Sequence, residues 1–169
     1  MGKTLVGVDV GTTGLKVAFF RENGEVIDRA YREYRLSFPR SGWAEIAPEI
    51  WWESLCGCFG EIWRRGRAAA EDVAGLGITC TNALILLDED GRPVAPAVMQ
   101  LDQRAAACAD RIRSDLGEER VFAKTGNRVS CGAFWGPTFQ WFRENRPSVC
   151  RRARYLLCPT GYLVLKLTG

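Results

Sequence analysis

The sequence predicts a mixed α/β domain, and three observations carry that expectation. Strand-like runs separated by tight-turn signals fill the first 34 residues. A long run with apolar residues at helical spacing follows, over about 48–70. Two more apolar strands and a helix-rich final third complete the chain, an order that suits a sheet with helices packed on it.

The elements follow in order. LVGVDV (5–10) and LKVAFFRE (15–22) read as strands one and two, and Asn23-Gly24 signals a two-residue turn into strand three, EVIDRAYREY (25–34). A loop with Pro39, Gly42 and Trp43 comes next. Pro48 suits the first position of a helix reaching about Ala70, with Trp51, Leu55, Phe59, Ile62 and Trp63 forming its apolar stripe. Glu49 and Glu53 near its start, and Arg64, Arg65 and Arg67 near its end, match the helix dipole. VAGLGIT (73–79) and ALILLD (83–88) read as buried strands, and Asp88-Glu89-Asp90-Gly91 as a turn. A helix is expected over about 103–116, stopped by Gly117, and shorter ones near 118–124, 137–145 and 159–167. Strands one to three should form an antiparallel meander, with 73–79 joining strand one in parallel across the intervening helix.

Composition narrows the function classes. The 169 residues suit one domain with room for a core. A net charge of +3 neither demands nor excludes a nucleic-acid partner, none is expected, and Arg151, Arg152 and Arg154 read as a solvated basic face. No run of eighteen apolar residues and no secretory signal is visible, so the expectation is a soluble, cytoplasmic protein with no membrane partner. Seven cysteines, with no histidine and no CxxC, read as free thiols.

The chemistry concentrates in VGVDVGTTGLKVAFF (6–20). A carboxylate closes an apolar strand, small polar residues follow, and a second strand begins. Such a hairpin tip exposes backbone N–H groups that can surround an anion, and the Thr12 and Thr13 hydroxyls add donors. Its glycines are expected to let the backbone fold tightly there. Asp9 can order a hydrated Mg²⁺, and Lys16 can face a transferring phosphoryl group. The absence of a GKS/T opening a helix separates this from a Walker loop. The residues alone also suit an ordinary turn capped by Asp9.

GVDVGTTGLKVAFF resembles the first phosphate motif of the sugar-kinase, heat-shock ATPase and actin superfamily. More narrowly, the chain resembles the N-terminal domain of FGGY carbohydrate kinases, the xylulokinase and glycerol kinase relatives. GWAEIAPEIWWE (42–53), GLGITCTNALILLDEDGRPVAPAV (75–98), QLDQRA (100–105), TGN (125–127) and YLVLKLTG (162–169) resemble later motifs of that domain in the same order. The resemblance implies a ribonuclease H-like fold of the actin/hexokinase type, with a mixed five-stranded sheet and flanking helices. It implies an ATP- and Mg-dependent kinase transferring the γ-phosphate to a sugar or polyol hydroxyl. Asp9 would orient the metal through water, while Gly11, Thr12, Thr13 and Lys16 would meet the phosphate. Thr81, Asn82, Asp102 and Arg104 would line or adjoin the carbohydrate cleft. The family's catalytic Asp and its C-terminal ATP-binding domain would lie beyond Gly169, so the chain by itself is expected to be inactive. A homodimer stays open.

Departures accompany the likeness. Gln100 stands where the family usually has Trp, and Ala47 stands where an Asp often caps the helix. Thr81-Asn82-Ala83 replaces both the Gln-Met-His and the Arg-Glu versions of the pocket strand, which points away from either named sugar. For Asp102 and Arg104, mutual pairing near a helix start is an equal reading. Two other function classes stay open: a non-catalytic sugar- or partner-binding module, and a ribonuclease H-like nuclease in which Glu45, Asp88 or Asp102 would join Asp9 on metal.

Overall fold

The computed structural model describes residues 2–169, and the chain divides into two compact units. The first contains the chain up to Arg35, Glu49–Thr81 and Pro159–Gly169; the second contains Leu36–Pro48 and Asn82–Cys158.

In the first unit, strands β1 (Thr4–Val10), β2 (Gly14–Arg21) and β3 (Val26–Glu33) form the expected antiparallel meander. Alternation decides the faces. Val6, Val8, Val10, Leu15, Val17 and Phe19 are buried, whereas Leu5, Asp9 and Lys16 point to the other, open face. The Asn23-Gly24 turn differs from its expectation. Arg21 pairs with Glu25 across a three-residue loop, and Gly24 takes φ 87, the left-handed position that a bulged hairpin of this length needs. A register shift beside Phe20 absorbs the extra residue.

A short strand of the second unit, β4 (Glu45–Ile46), stands where the sequence predicts a loop, and the buried face of the first sheet receives the helix that follows. Helix α1 (Glu49–Arg64) stops six residues earlier than expected, because Gly66 adopts φ 66 and the chain leaves through turn hydrogen bonds to Ile62 and Trp63. Trp51, Leu55, Cys58, Phe59 and Ile62 are buried, and Phe59 meets Phe19 edge-on at 5.6 Å. Trp63, expected on the stripe, is 43% exposed and lies over Phe59. Arg65 reaches Asp28 at 3.0 Å, and Arg32 pairs with Glu61, holding that carboxyl below the usual range. Strand β5 (Val73–Cys80) then joins β1 in parallel, giving the order β3-β2-β1-β5.

The sheet has four strands where five were expected. The next strand, β6 (Ala83–Leu87), is buried at every position and pairs in the second unit instead. There β7 (Ala97–Met99) and β8 (Tyr155–Leu157), the latter unanticipated, complete a sheet of order β4-β7-β6-β8. Between them, the second unit carries α2 (Ala106–Leu116), α3 (Glu118–Thr125), α4 (Trp135–Asn145) and α5 (Pro147–Arg152). Helix α6 (Pro159–Thr168) returns to the first unit with Tyr162 and Leu163 buried. No disulfide joins any of the seven cysteines, as read from the sequence.

Candidate functional site

The residues expected from the sequence to grip phosphate sit on the β1–β2 hairpin of the first unit. Cross-strand register places Asp9 opposite Lys16, and parallel register places Thr79 beside Asp9, so all three share the open face. Lys16 Nζ lies 3.8 Å from Asp9 Oδ2, with side chains 68% and 53% exposed. Such a contact is weak in water and leaves both charges available to a ligand. A shallow concavity of about 530 Å³ opens beside them, floored by Gly7, Ala18 and Gly77.

The tip closes through Gly11 N–H to Gly14 O at 2.9 Å. Its glycines act through space rather than through left-handed backbone, since neither has a positive φ. A Cβ on Gly14 would fall 2.2 Å from the Tyr31 hydroxyl, and one on Gly11 would fall 3.0 Å from Gly14 O. The carbonyls of the tip are drawn toward β3 and the residue after it. Tyr34 donates its hydroxyl to Gly11 O at 2.7 Å and its N–H to Thr13 O at 3.1 Å, and Tyr31 donates to Thr13 O at 3.3 Å. Among the described residues, the N–H groups of Thr12 and Thr13 have no partner, which leaves two adjacent donors for an anion.

Asp102 and Arg104, in the second unit, form a closed cluster. Asp102 is 1% exposed and accepts four hydrogen bonds: from Ala44 N–H at 2.6 Å, from Arg104 N–H and Nε at 2.9 Å, and from Arg104 Nη2 at 2.7 Å. Arg104 also pairs with Glu45 at 2.7 Å and stacks 3.8 Å from the Trp43 ring. The carboxylate has no lone pair left over. Of the two readings made from the sequence, the geometry favours mutual pairing.

Asn82 is the hub of a separate wall in this unit. Its Oδ1 accepts from Trp135 Nε1 at 2.9 Å, its Nδ2 donates to Ala133 O, and its backbone carbonyl accepts from Gln100 N–H at 3.0 Å. Gly132, at φ 75, lets the 131–134 segment lie against Gln100, where a Cβ would come within 2.2 Å of the carbonyl oxygen. Thr81, last residue of the first unit, donates its N–H to Val10 O at 2.7 Å, while its hydroxyl is buried without a partner. Tyr31, Tyr34, Gly132 and Trp135 were not singled out from the sequence, because their partners lie 18 to 53 residues away for the hydrogen-bonded ones and no local pattern marks them.

The donor set at the hairpin fits a hydrated Mg²⁺ delivered with a phosphate. Asp9 offers one half-exposed carboxylate, and water and phosphate oxygens would fill the other positions. Among the described residues, no three acidic, histidine or cysteine side chains converge as a metal cage. The carboxylates that a nuclease would need beside Asp9 are engaged elsewhere: Glu45 and Asp102 on Arg104, and Asp88 on the N–H groups of Asp90 and Arg92. No described helix is long and apolar enough to cross a membrane.

Comparison with known proteins places this geometry in a family. The family model for the N-terminal domain of the FGGY family of carbohydrate kinases matches residues 4–169. A xylulose kinase of Staphylococcus xylosus is 29% identical over 98% of this chain, covering 34% of that protein. A glycerol kinase of Rhizobium meliloti is 29% identical over the whole chain, covering 35% of that protein. The crystal structure of xylulose kinase from Rhodospirillum rubrum superposes with a TM-score of 0.89 at 26% identity, covering 96% of this chain and 33% of that one. The chain therefore spans about a third of the relatives it matches. Its fold is that of the actin/hexokinase type, and it belongs to the FGGY family of carbohydrate kinases, of which it carries the N-terminal domain.

Proposed function

We propose that this chain supplies the phosphate grip and part of the carbohydrate wall of an ATP-dependent sugar or polyol kinase. The observation that carries the reading is the hairpin tip, where two unpartnered N–H groups lie on the strand pair that holds Asp9 and Lys16. Phosphoryl transfer asks little covalent chemistry of a protein and much positioning and charge stabilisation. Mg–ATP supplies the phosphoryl group and neutralises part of its charge. Thr12 and Thr13 then hold phosphate oxygens through backbone N–H, Asp9 orders the water shell around the metal, and Lys16 stabilises negative charge on the phosphoryl oxygens.

On the carbohydrate side, Thr81 and Asn82 line the cleft. Asn82 keeps one N–H and one lone pair beyond its bonds to Trp135 and Ala133, and these suit a sugar hydroxyl. Asp102 and Arg104 are closed on each other and hold the second unit's structure rather than touching substrate. The base that takes the hydroxyl proton, and the domain that closes over the nucleotide, come from a C-terminal kinase partner. The reading places the enzyme in the cytoplasm.

A coupled assay of ADP release across pentuloses, hexuloses and polyols tests this. The 169-residue chain alone should show no enzyme-like turnover, and the protein that joins it to a C-terminal kinase domain should reach about 1–100 s⁻¹ on one of those sugars. Turnover by the isolated chain would show that the machinery lies within these residues. No turnover by the joined protein on any member of the panel would overturn the kinase reading.

A further inference from the structure

The phosphate tip must present its amides in one direction, and the structure shows what sets that direction. We propose that Tyr34 is a positioning residue of the tip: by holding the Gly11 carbonyl, its hydroxyl turns the Thr12 N–H outward toward the anion. The inference rests on the phosphate-grip reading above and deepens it.

The Gly11 carbonyl and the Thr12 N–H belong to one trans peptide unit, so they point in opposite directions and rotate together. Tyr34 draws the carbonyl to itself at 2.7 Å. The Thr12 N–H must then face away from the Tyr34 hydroxyl, and it has no protein partner there. Gly11, without a side chain, is the residue most free to rotate about this plane, so a clamp on its carbonyl has a specific task.

The clamp is itself held. Tyr34 is 8% exposed, so water has little access to the phenol that makes this bond. A carbonyl only accepts, so in this bond the phenol is the donor and its proton points toward Gly11. Burial pushes the Tyr34 hydroxyl well above the usual tyrosine range, which keeps that proton in place at any physiological pH. Tyr31 makes the opposite case. Its bond to Thr13 O is longer, 3.3 Å, and its side chain is 45% exposed, so water can replace it.

The test follows backbone amide resonances of this chain during titration with Mg–tripolyphosphate. In the parent, Thr12 and Thr13 should shift together. Tyr34→Phe should weaken the probe about tenfold, the scale of one lost buried hydrogen bond, and move the Thr12 resonance even before probe is added. Tyr31→Phe should bind within twofold of the parent. A folded Tyr34→Phe chain with parental affinity and an unmoved Thr12 resonance overturns the inference while leaving the phosphate grip intact. A parent whose Thr12 and Thr13 do not respond to probe overturns both. If Tyr34→Phe fails to fold, the Tyr34 hydroxyl proton of the parent decides: it should stay protected from exchange when probe binds, and its release would overturn the clamp.

Discussion

The hairpin tip and the Asp102–Arg104 cluster start from similar material and end in opposite states. Each pairs one carboxylate with one cation. At the tip, Asp9 and Lys16 are more than half exposed and 3.8 Å apart. In the second unit, Asp102 and Arg104 are 1% and 2% exposed and share two side-chain hydrogen bonds. The difference teaches what each pair is for. An exposed pair in water is worth little to the fold and stays free to meet a ligand. A buried pair has lost its water and must satisfy itself, so it holds structure. A carboxylate beside a cation is therefore open to a ligand in one unit and closed into the architecture in the other.

The sharpest way to break this contrast is Arg104→Ala. It would leave Asp102 buried and Glu45 half-buried without their cation, beside an empty stack on Trp43. We expect a loss of about 3–5 kcal/mol in urea unfolding, as for other broken buried pairs. Lys16→Ala should stay within about 0.5 kcal/mol of the parent, since it removes an exposed charge. Equal losses for the two variants would show that the units do not differ as described.

Asp9→Asn tests the other side. In the complete kinase, kcat should fall at least about 10²-fold, the scale of one preorganised electrostatic contact, with little change in sugar KM and in melting temperature. A folded variant with parental kcat would reduce Asp9 to a turn-shaping residue.

Gly14→Ala probes how tightly the tip is built. The added methyl would collide with the Tyr31 ring, and overpacking of this kind costs about 1–3 kcal/mol. Because the obstacle is a side chain and not a forbidden φ, Tyr31→Ala should restore most of that loss in the double variant. A double variant no more stable than Gly14→Ala alone would mean that backbone geometry, not space, requires the glycine.

The smallest effect concerns alkaline pH. Burial pushes Tyr162 up to about 12 and Tyr34 higher still. In the unfolded chain both would titrate near 10. The folded state therefore holds more protons above that point, and stability should be level below about pH 10 and decline as pH rises toward the folded values. Tyr162→Phe should flatten part of the decline. A parent whose unfolding free energy does not change between pH 9 and about 11 would contradict the burial of these rings.

Much of the fold was legible in the sequence because its signals are local. Strand alternation in 5–34, the apolar stripe of α1 and the glycine that ends α2 each depend on neighbours a few residues apart. The parallel pairing of β5 with β1 followed from the crossover helix between them. The candidate tip was legible too, since one hairpin brings Asp9, Thr12, Thr13 and Lys16 together. The short strands β4 and β8 were not, because two or three residues carry no period and form only where a partner strand waits.

What the sequence determined by itself was the order of elements and the set of polar residues that a hairpin would bring together. What only the tertiary structure decided was which of those polar groups remain free. Asp102 is closed off by an N–H 58 residues away, and the Gly11 carbonyl is claimed by a hydroxyl 23 residues away. Gly14 and Gly132 are required by a ring and a carbonyl that approach from other parts of the chain. Propensity and periodicity act over one or two turns of chain, whereas solvation and pairing depend on everything that packs around an atom. A carboxylate therefore looks the same in sequence whether it will face water or be sealed from it, and only the packed chain tells the two apart.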